Sequence, residues 1–208
     1  EIMPSLVGSE MCIRDSVYID ENFNENVNSL DDVMKNINKK LEFPVFVKPS
    51  NSGSSVGISK ANNIEELKKA IEVAAKYDNK ILIEQGIEAR ELECAILGNE
   101  DVKASCVGEI LPAEDFYSYD AKYKNDNSRV VINAEITKDQ EKEIKEIAIK
   151  AFKALDCKGL ARVDFFIDKK TEKIYLNEIN TMPGFTEISM YPKLWKHSGI
   201  PYSDLLDN

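Results

Sequence analysis

The densest chemistry in the chain lies between Arg162 and Asn180. Arg162 and Asp164 stand two apart in GLARVDFF, and Glu178 and Asn180 stand two apart in YLNEIN. Residues two apart on a strand share a face, so each pair points one way. The polar run 168–173 reads as the turn of a hairpin, which sets the pairs side by side if the register is ordinary. Two carboxylates and a carboxamide oxygen form a hard oxygen set of the kind Mg2+ takes, with positions left for water and phosphate oxygens. An adjacent guanidinium suits negative charge developing on a reacting group. The plainer reading is a solvated hairpin face. It is weakened because 160–167 is otherwise strongly apolar, and unpaired buried carboxylates are costly.

A second constellation is KPSNSGSSVG, Lys48 to Gly57. A lysine leaving a strand, followed by small residues, can wrap backbone N–H groups round a phosphate while the ammonium adds charge. It is not a Walker A loop, because no Lys-Ser/Thr follows the last glycine. A flexible Ser/Gly turn competes with this reading, and Lys48 closing an apolar strand favours the phosphate loop. The third and weakest is Glu84-Gln85-Gly86-Ile87 with Glu91. Here a strand end and bend can offer backbone groups to a base edge and a carboxylate to a ribose, or simply form a charged surface.

These groups need elements to hold them. Leu30, Val33, Ile37 and Leu41 repeat at helical spacing behind a Ser29 cap. Residues 45–48 read as a strand stopped by Pro49. Asn63 and Glu66 form a capping pattern before a helix with Ile64, Leu67, Ile71 and Ala74 on one face. Residues 81–84, 92–97 and 102–110 read as strands, the last two joined by Gly98-Asn99-Glu100-Asp101. The stretch 112–128 is a long polar and aromatic loop, the kind that tends to be functional. Thr137 and Gln140 cap a helix whose apolar face is Ile144, Ile147, Ala148, Ala151 and Leu155. Residues 160–167 and 174–180 are the site hairpin. Strands and helices mix without βα alternation, which predicts α+β. Residues 1–16 fit no periodicity and read as a non-native scar. The domains expected are 17–87 and 88–208, with a boundary near 87.

The 208 residues carry 27 basic and 37 acidic side chains, a formal net charge of −10. That balance argues against nucleic acid and anionic membrane as partners, because counterion release needs clustered Lys and Arg. No apolar run approaches the roughly 18–20 residues that span a bilayer. Cys12, Cys94, Cys106 and Cys157 lie far apart without CxxC spacing, so they read as reduced and structural, as suits a cytoplasmic protein. His197 stands without a second histidine or a cysteine beside it and reads as a surface or packing residue.

Taken in order, KPSNSGSSVG, LIEQGIEARELECAILGN, FYSYDAKY, GLARVDFF and YLNEINTMPGFTEISMYP resemble the D-alanine–D-alanine ligases of the ATP-grasp superfamily. The resemblance runs from about Val17 to Asn208. It implies two α+β subdomains gripping ATP, with two Mg2+ ions (Mn2+ as an alternative) on Asp164, Glu178 and Asn180. It places Lys48 on the α and β phosphates and Ser54 and Ser55 over the γ-phosphate. Glu84 with the Gly86-Ile87 backbone would hold adenine, Glu91 the ribose, and Phe166 and Asn177 would join the nucleotide site. Arg162 would stabilise the acyl phosphate and the tetrahedral intermediate. Tyr117, Lys122 and Tyr123 fall in a mobile loop, the last two reaching the phosphates and the second substrate. Ser189 and the Met190 backbone would take the second D-alanine's carboxylate.

The family pattern includes an N-terminal domain with a glutamate and a histidine for the first D-alanine, and a second ATP-contacting lysine. None of these can be placed before Val17, so the chain is expected to be a fragment, inactive or nearly so alone, of a cytoplasmic homodimeric enzyme. Two alternatives stand beside the dipeptide ligase. One is a D-alanine–D-lactate or other carboxylate–amine ligase, against which Tyr123 speaks. The other is an inactive nucleotide-binding fragment, against which Arg162, Asp164, Glu178 and Asn180 speak together.

Overall fold

The computed structural model describes residues 14–18, 41–51, 56–111 and 129–207. The helix expected behind Ser29, the 112–128 loop, and Ser54, Ser55, Tyr117, Lys122 and Tyr123 therefore lie outside the described residues. The described chain falls into two units, one ending at Ile87 and the other starting at Glu88.

The first unit is a four-stranded sheet in the order β1-β4-β2-β3 with one helix on it. Its strands are β1 (Arg14–Tyr18), β2 (Val45–Pro49), β3 (Ser59–Ala61) and β4 (Lys80–Gln85), and its helix is α1 (Ile64–Ala74). The cap on α1 forms as the sequence predicts: Asn63 Oδ1 accepts the Glu66 N–H at 2.9 Å. Leu67, Ala70, Ile71 and Ala74 are buried against Val45, Val47, Ile81 and Ile83. Ile64, expected on that face, is 39% exposed because it sits at the first helical position, beside the cap. β1 corrects the reading that residues up to 16 fit no element: Arg14, Asp15 and Ser16 pair with Glu84, Ile83 and Leu82. An edge strand joins through backbone hydrogen bonds, so its sequence need show no pattern.

The second unit is a five-stranded antiparallel sheet in the order β7-β6-β5-β8-β9. It contains β5 (Ala89–Gly98), β6 (Lys103–Leu111), β7 (Arg129–Val131), β8 (Gly159–Asp168) and β9 (Ile174–Asn180), with α2 (Lys138–Ala154), α3 (Met190–His197) and α4 (Tyr202–Asp207). Thr137 and Gln140 close a full capping box on α2. Ile144, Ile147, Ala148, Ala151 and Phe152 of α2 cover one face of the sheet, packing on Leu92, Cys94, Val163, Phe165 and Leu176. Each fully buried Ile or Phe here is worth roughly 1.5–3 kcal/mol. Leu155, expected in that row, is the C-cap and 44% exposed; the helix has already ended, and Phe152 fills the place.

The opposite face is covered at one end, where Ala95 and Cys106 meet Met190, Tyr191, Leu194 and Trp195. Gly108 permits this close approach, since a Cβ there would stand 2.9 Å from Leu194 Cδ2. Cys94 and Cys106 are buried free thiols, and burial pushes the Cys94 thiol up to about 12. His197 is exposed at the end of α3. Every strand pair in both sheets is antiparallel, which makes the architecture α+β as expected.

Candidate active site

The site of the second unit lies on the sheet face that carries α3. Along β8, Ala161, Val163, Phe165 and Ile167 are buried toward α2, and strict alternation puts Arg162, Asp164 and Phe166 on the opposite face. β9 does not alternate so simply. Asp164 pairs with Glu178 but Phe165 pairs with Leu176, which leaves Asn177 as an extra residue in the strand. An unbroken ladder through Asn177 would turn Glu178 and Asn180 toward the core. The bulge absorbs Asn177 and keeps both residues facing Arg162 and Asp164. The register is thus not the ordinary one, yet the four side chains converge.

Arg162 grips Asp164 with two bonds: Nε donates to Oδ1 and Nη2 to Oδ2, each at 2.7 Å. Asn180 Nδ2 donates to Asp164 Oδ2 at 2.9 Å and leans on Glu178 Oε1 at 3.4 Å. Arg162 Nε also lies 3.3 Å from Glu93 Oε2, a carboxylate on β5 directly opposite Asp164. Burial works against the charge on Arg162. The hydrogen bonds and charge of Asp164, then the charges of Glu93 and Glu178, outweigh it and hold the guanidinium more firmly protonated than usual.

Three carboxylates around one guanidinium leave a surplus of negative charge, and an oxygen set with that surplus fits a hard divalent cation. Among the described residues no three His, Cys, Asp or Glu side chains gather tightly enough to hold a metal by themselves. The donor set that fits is Asp164, Glu178 and Asn180, an amide completing two carboxylates. Asn180 points its NH2 at Asp164 in the present arrangement, and a turn of the amide would bring Oδ1 round instead.

Glu91 pairs with Phe166, so the carboxylate expected at the ribose and the ring expected at the nucleotide are neighbours on this face. Ser189 caps α3 without a side-chain bond to that helix. Its Oγ instead lies 2.8 Å from Thr186 Oγ1 and accepts the Thr186 N–H at 3.2 Å. Met190 is buried directly after it.

In the first unit, Val45, Val47 and Pro49 of β2 are buried, so Lys48 takes the other face. There its ammonium meets Glu84 of β4 at 2.8 Å. The lysine expected at phosphates and the glutamate expected at adenine thus hold each other. Gly86 is the point where the chain leaves β4. Its N–H donates to Pro44 O at 2.8 Å, and a Cβ there would stand 2.5 Å from that oxygen. Its carbonyl accepts from Gln85 Nε2 at 3.2 Å. Both polar groups of Gly86 are therefore engaged within the protein.

A family model described as the D-Ala D-Ala ligase C-terminus matches residues 14–208. The chain belongs to the D-alanine–D-alanine ligase family. It is 58% identical over 175 residues to the D-alanine–D-alanine ligase of Acetivibrio thermocellus, covering 84% of this chain and 46% of that protein. It is 50% identical to that of Clostridium acetobutylicum, covering 98% of this chain and 64% of that protein. Among solved structures it superposes on VanG D-Ala:D-Ser ligase from Enterococcus faecalis with a TM-score of 0.85 at 36% identity, covering 99% of this chain and 57% of that one. The D-alanine–D-alanine ligase from Coxiella burnetii gives 0.82 at 34%, with 99% and 52% covered. The chain thus spans about half to two thirds of the length of the relatives it matches. The fold is of the ATP-grasp kind, as the motifs implied.

One residue at the site escaped the sequence reading. Glu93 is 9% exposed and sits inside LECAIL, a run buried from Leu92 to Ile96. The signal was the one that singled out Asp164: an acid inside an apolar strand costs free energy unless it has a partner.

Proposed function

We propose that this chain supplies ATP-binding and catalytic residues of a ligase that joins two D-alanines into D-alanyl-D-alanine for peptidoglycan. The observation that carries the proposal is the convergence of Arg162, Asp164, Glu178 and Asn180 on one sheet face, in the order of motifs that marks this family. A carboxylate is a poor acylating agent. A carboxylate oxygen of the first D-alanine therefore attacks the γ-phosphorus of ATP, ADP leaves, and an acyl phosphate forms. The amine of the second D-alanine attacks its carbonyl carbon, loses a proton, and inorganic phosphate departs.

Phosphoryl transfer needs positioning and charge neutralisation more than covalent help. Lys48 would leave Glu84 to meet the α and β phosphates, and Ser54 and Ser55 would close on the γ-phosphate. Glu84 with the Gly86-Ile87 backbone would hold adenine, Glu91 the ribose, with Phe166 and Asn177 lining the nucleotide. Two Mg2+ ions, held by Asp164, Glu178 and Asn180, would neutralise phosphate charge when bound. Arg162 would stabilise the negative charge that develops on the acyl phosphate and on the tetrahedral oxyanion. Ser189 and the Met190 backbone would take the carboxylate of the second D-alanine. Tyr117, Lys122 and Tyr123 would close over the reaction and exclude water. No described helix is long and apolar enough to cross a membrane, and we place the enzyme in the cytoplasm as a homodimer.

The test is phosphate release by the full-length protein, dependent on both ATP and D-alanine, with D-alanine competed against D-serine and D-lactate across pH. The expected result is D-alanine-dependent turnover with the dipeptide as product. Calorimetry adds a second readout: Asp164→Ala and Glu178→Ala should each remove the Mg2+-dependent part of ATP binding. Nucleotide binding indifferent to both substitutions would refute the site assignment.

A further inference from the structure

The Arg162 guanidinium stands between two carboxylates on adjacent strands. It makes two bonds to Asp164, while Glu93 Oε2, buried and without a hydrogen bond, forms an ion pair with its Nε at 3.3 Å. Glu93 and Asp164 are directly paired across β5 and β8, and Arg162 is the diagonal neighbour of Glu93. Glu93 is the more buried of the two acids, with a side chain 12% exposed against 14%. In the present arrangement Arg162 uses both oxygens of Asp164. If Asp164 ligates a divalent cation, as proposed above, the cation and the guanidinium compete for the same oxygens. Arg162 must then release at least one of them, and a buried guanidinium left without a carboxylate is costly.

We propose that Glu93 is the positioning residue for Arg162, the second anchor that holds the guanidinium in place when Asp164 turns to the cation. Glu93 touches neither cation nor substrate in this role; it sets where Arg162 rests and how readily Asp164 is surrendered. A movement of the Nε–H from Asp164 to Glu93 needs no large excursion, because Glu93 Oε2 already lies 3.3 Å from that nitrogen with no hydrogen bond of its own. This inference rests on the assignment of Asp164 as a cation ligand.

The experiment uses the full-length protein and measures the Mg2+ concentration that half-saturates ATP binding, by calorimetry, alongside kcat and KM. Glu93→Gln keeps the shape and removes the charge, so Arg162 stays on Asp164. The half-saturating Mg2+ should rise about 10-fold or more, and kcat should fall by a similar factor with KM for D-alanine little changed. In an Arg162→Ala background no guanidinium competes, and Glu93→Gln should then change the Mg2+ requirement by less than about twofold. Glu93→Asp should recover part of the loss. Equal effects of Glu93→Gln with and without Arg162 would overturn the proposal, as would a wild-type Mg2+ requirement in the single variant. Failure of the wild-type protein to bind ATP in a Mg2+-dependent way would instead refute the underlying ligase reading.

Discussion

Two strands of the five-stranded sheet each carry one residue more than their partner, and the two irregularities are put to opposite uses. On β6, Ser105 and Cys106 stand where β5 has Ala95 alone. A single hydroxyl meets two of the groups disturbed there: Ser105 Oγ accepts the Ala95 N–H at 3.0 Å and donates to Cys106 O at 2.7 Å. The Cys106 N–H reaches Ser198 Oγ at 2.7 Å, tying the bulge to the end of α3. On β9 the extra residue is Asn177, and beside it stand Glu178 and Asn180, partly or fully exposed and facing a charged arginine. One bulge closes on itself and stabilises the sheet. The other keeps side chains aimed at a neighbour, and under the proposed function its worth is chemical.

Deleting Asn177 tests the chemical half of that contrast and carries the largest expected effect. The shortened β9 would pair regularly, with Glu178 still opposite Asp164 and Asn180 still opposite Arg162. Folding stability should therefore hold. The Asn177 side chain and the local twist that aims Glu178 would both be lost. Ligase turnover and Mg2+-dependent ATP binding are expected to fall about 10- to 100-fold. Denaturant unfolding and calorimetry on the same variant separate the two readouts, and a loss of stability with unchanged binding would reverse the assignment of roles.

Ser105→Ala is the mirror experiment. The hydroxyl is fully buried, and removing it strands the Ala95 N–H and frees the Cys106 carbonyl. The expected cost is about 1–3 kcal/mol of stability, with turnover at permissive temperature unchanged. Activity falling in step with a mild destabilisation would show that this bulge, too, feeds the site.

The contrast also explains what the sequence disclosed. Arg162 and Asp164 were legible because β8 alternates without a fault, so a period of two names their face directly. Both capped helices were legible because Asn63 and Thr137 carry the capping chemistry in their own side chains. The bulge on β9 was visible only as a three-residue gap between Leu176 and Ile179, where alternation requires two or four. Glu93 was missed because β5 is buried on both faces from Leu92 to Ile96; with no alternation to read, a single acid looks like part of an apolar run. The Lys48–Glu84 pair depends on how β2 registers on β4, strands separated by β3 and α1, and no local pattern encodes such a register. β1 escaped for a related reason, since it joins at a sheet edge through a register on β4 that no local pattern encodes.

The smallest expected effect concerns the turn that starts β9. Asp168 Oδ1 accepts the N–H groups of Lys170 and Thr171 at 2.7 and 2.8 Å. The Thr171 bond, ahead of the Lys170 bond, outweighs slight burial and holds this carboxyl below the usual range. A depressed carboxyl contributes stability above its unfolded value of 3.8 and loses it as pH falls through the lower folded value. Solvent screens a group this exposed, so Asp168→Ala should cost about 0.5 kcal/mol or less at neutral pH. The difference between variant and wild type should shrink to nothing in acid, once the wild-type carboxyl is itself protonated. Because the bulge at Asn177, and not this turn, decides which face Glu178 takes, Mg2+-dependent nucleotide binding should be unaffected. If Asp168→Ala weakened that binding, the turn would share in setting the register, and the two bulges would no longer account for the sheet between them.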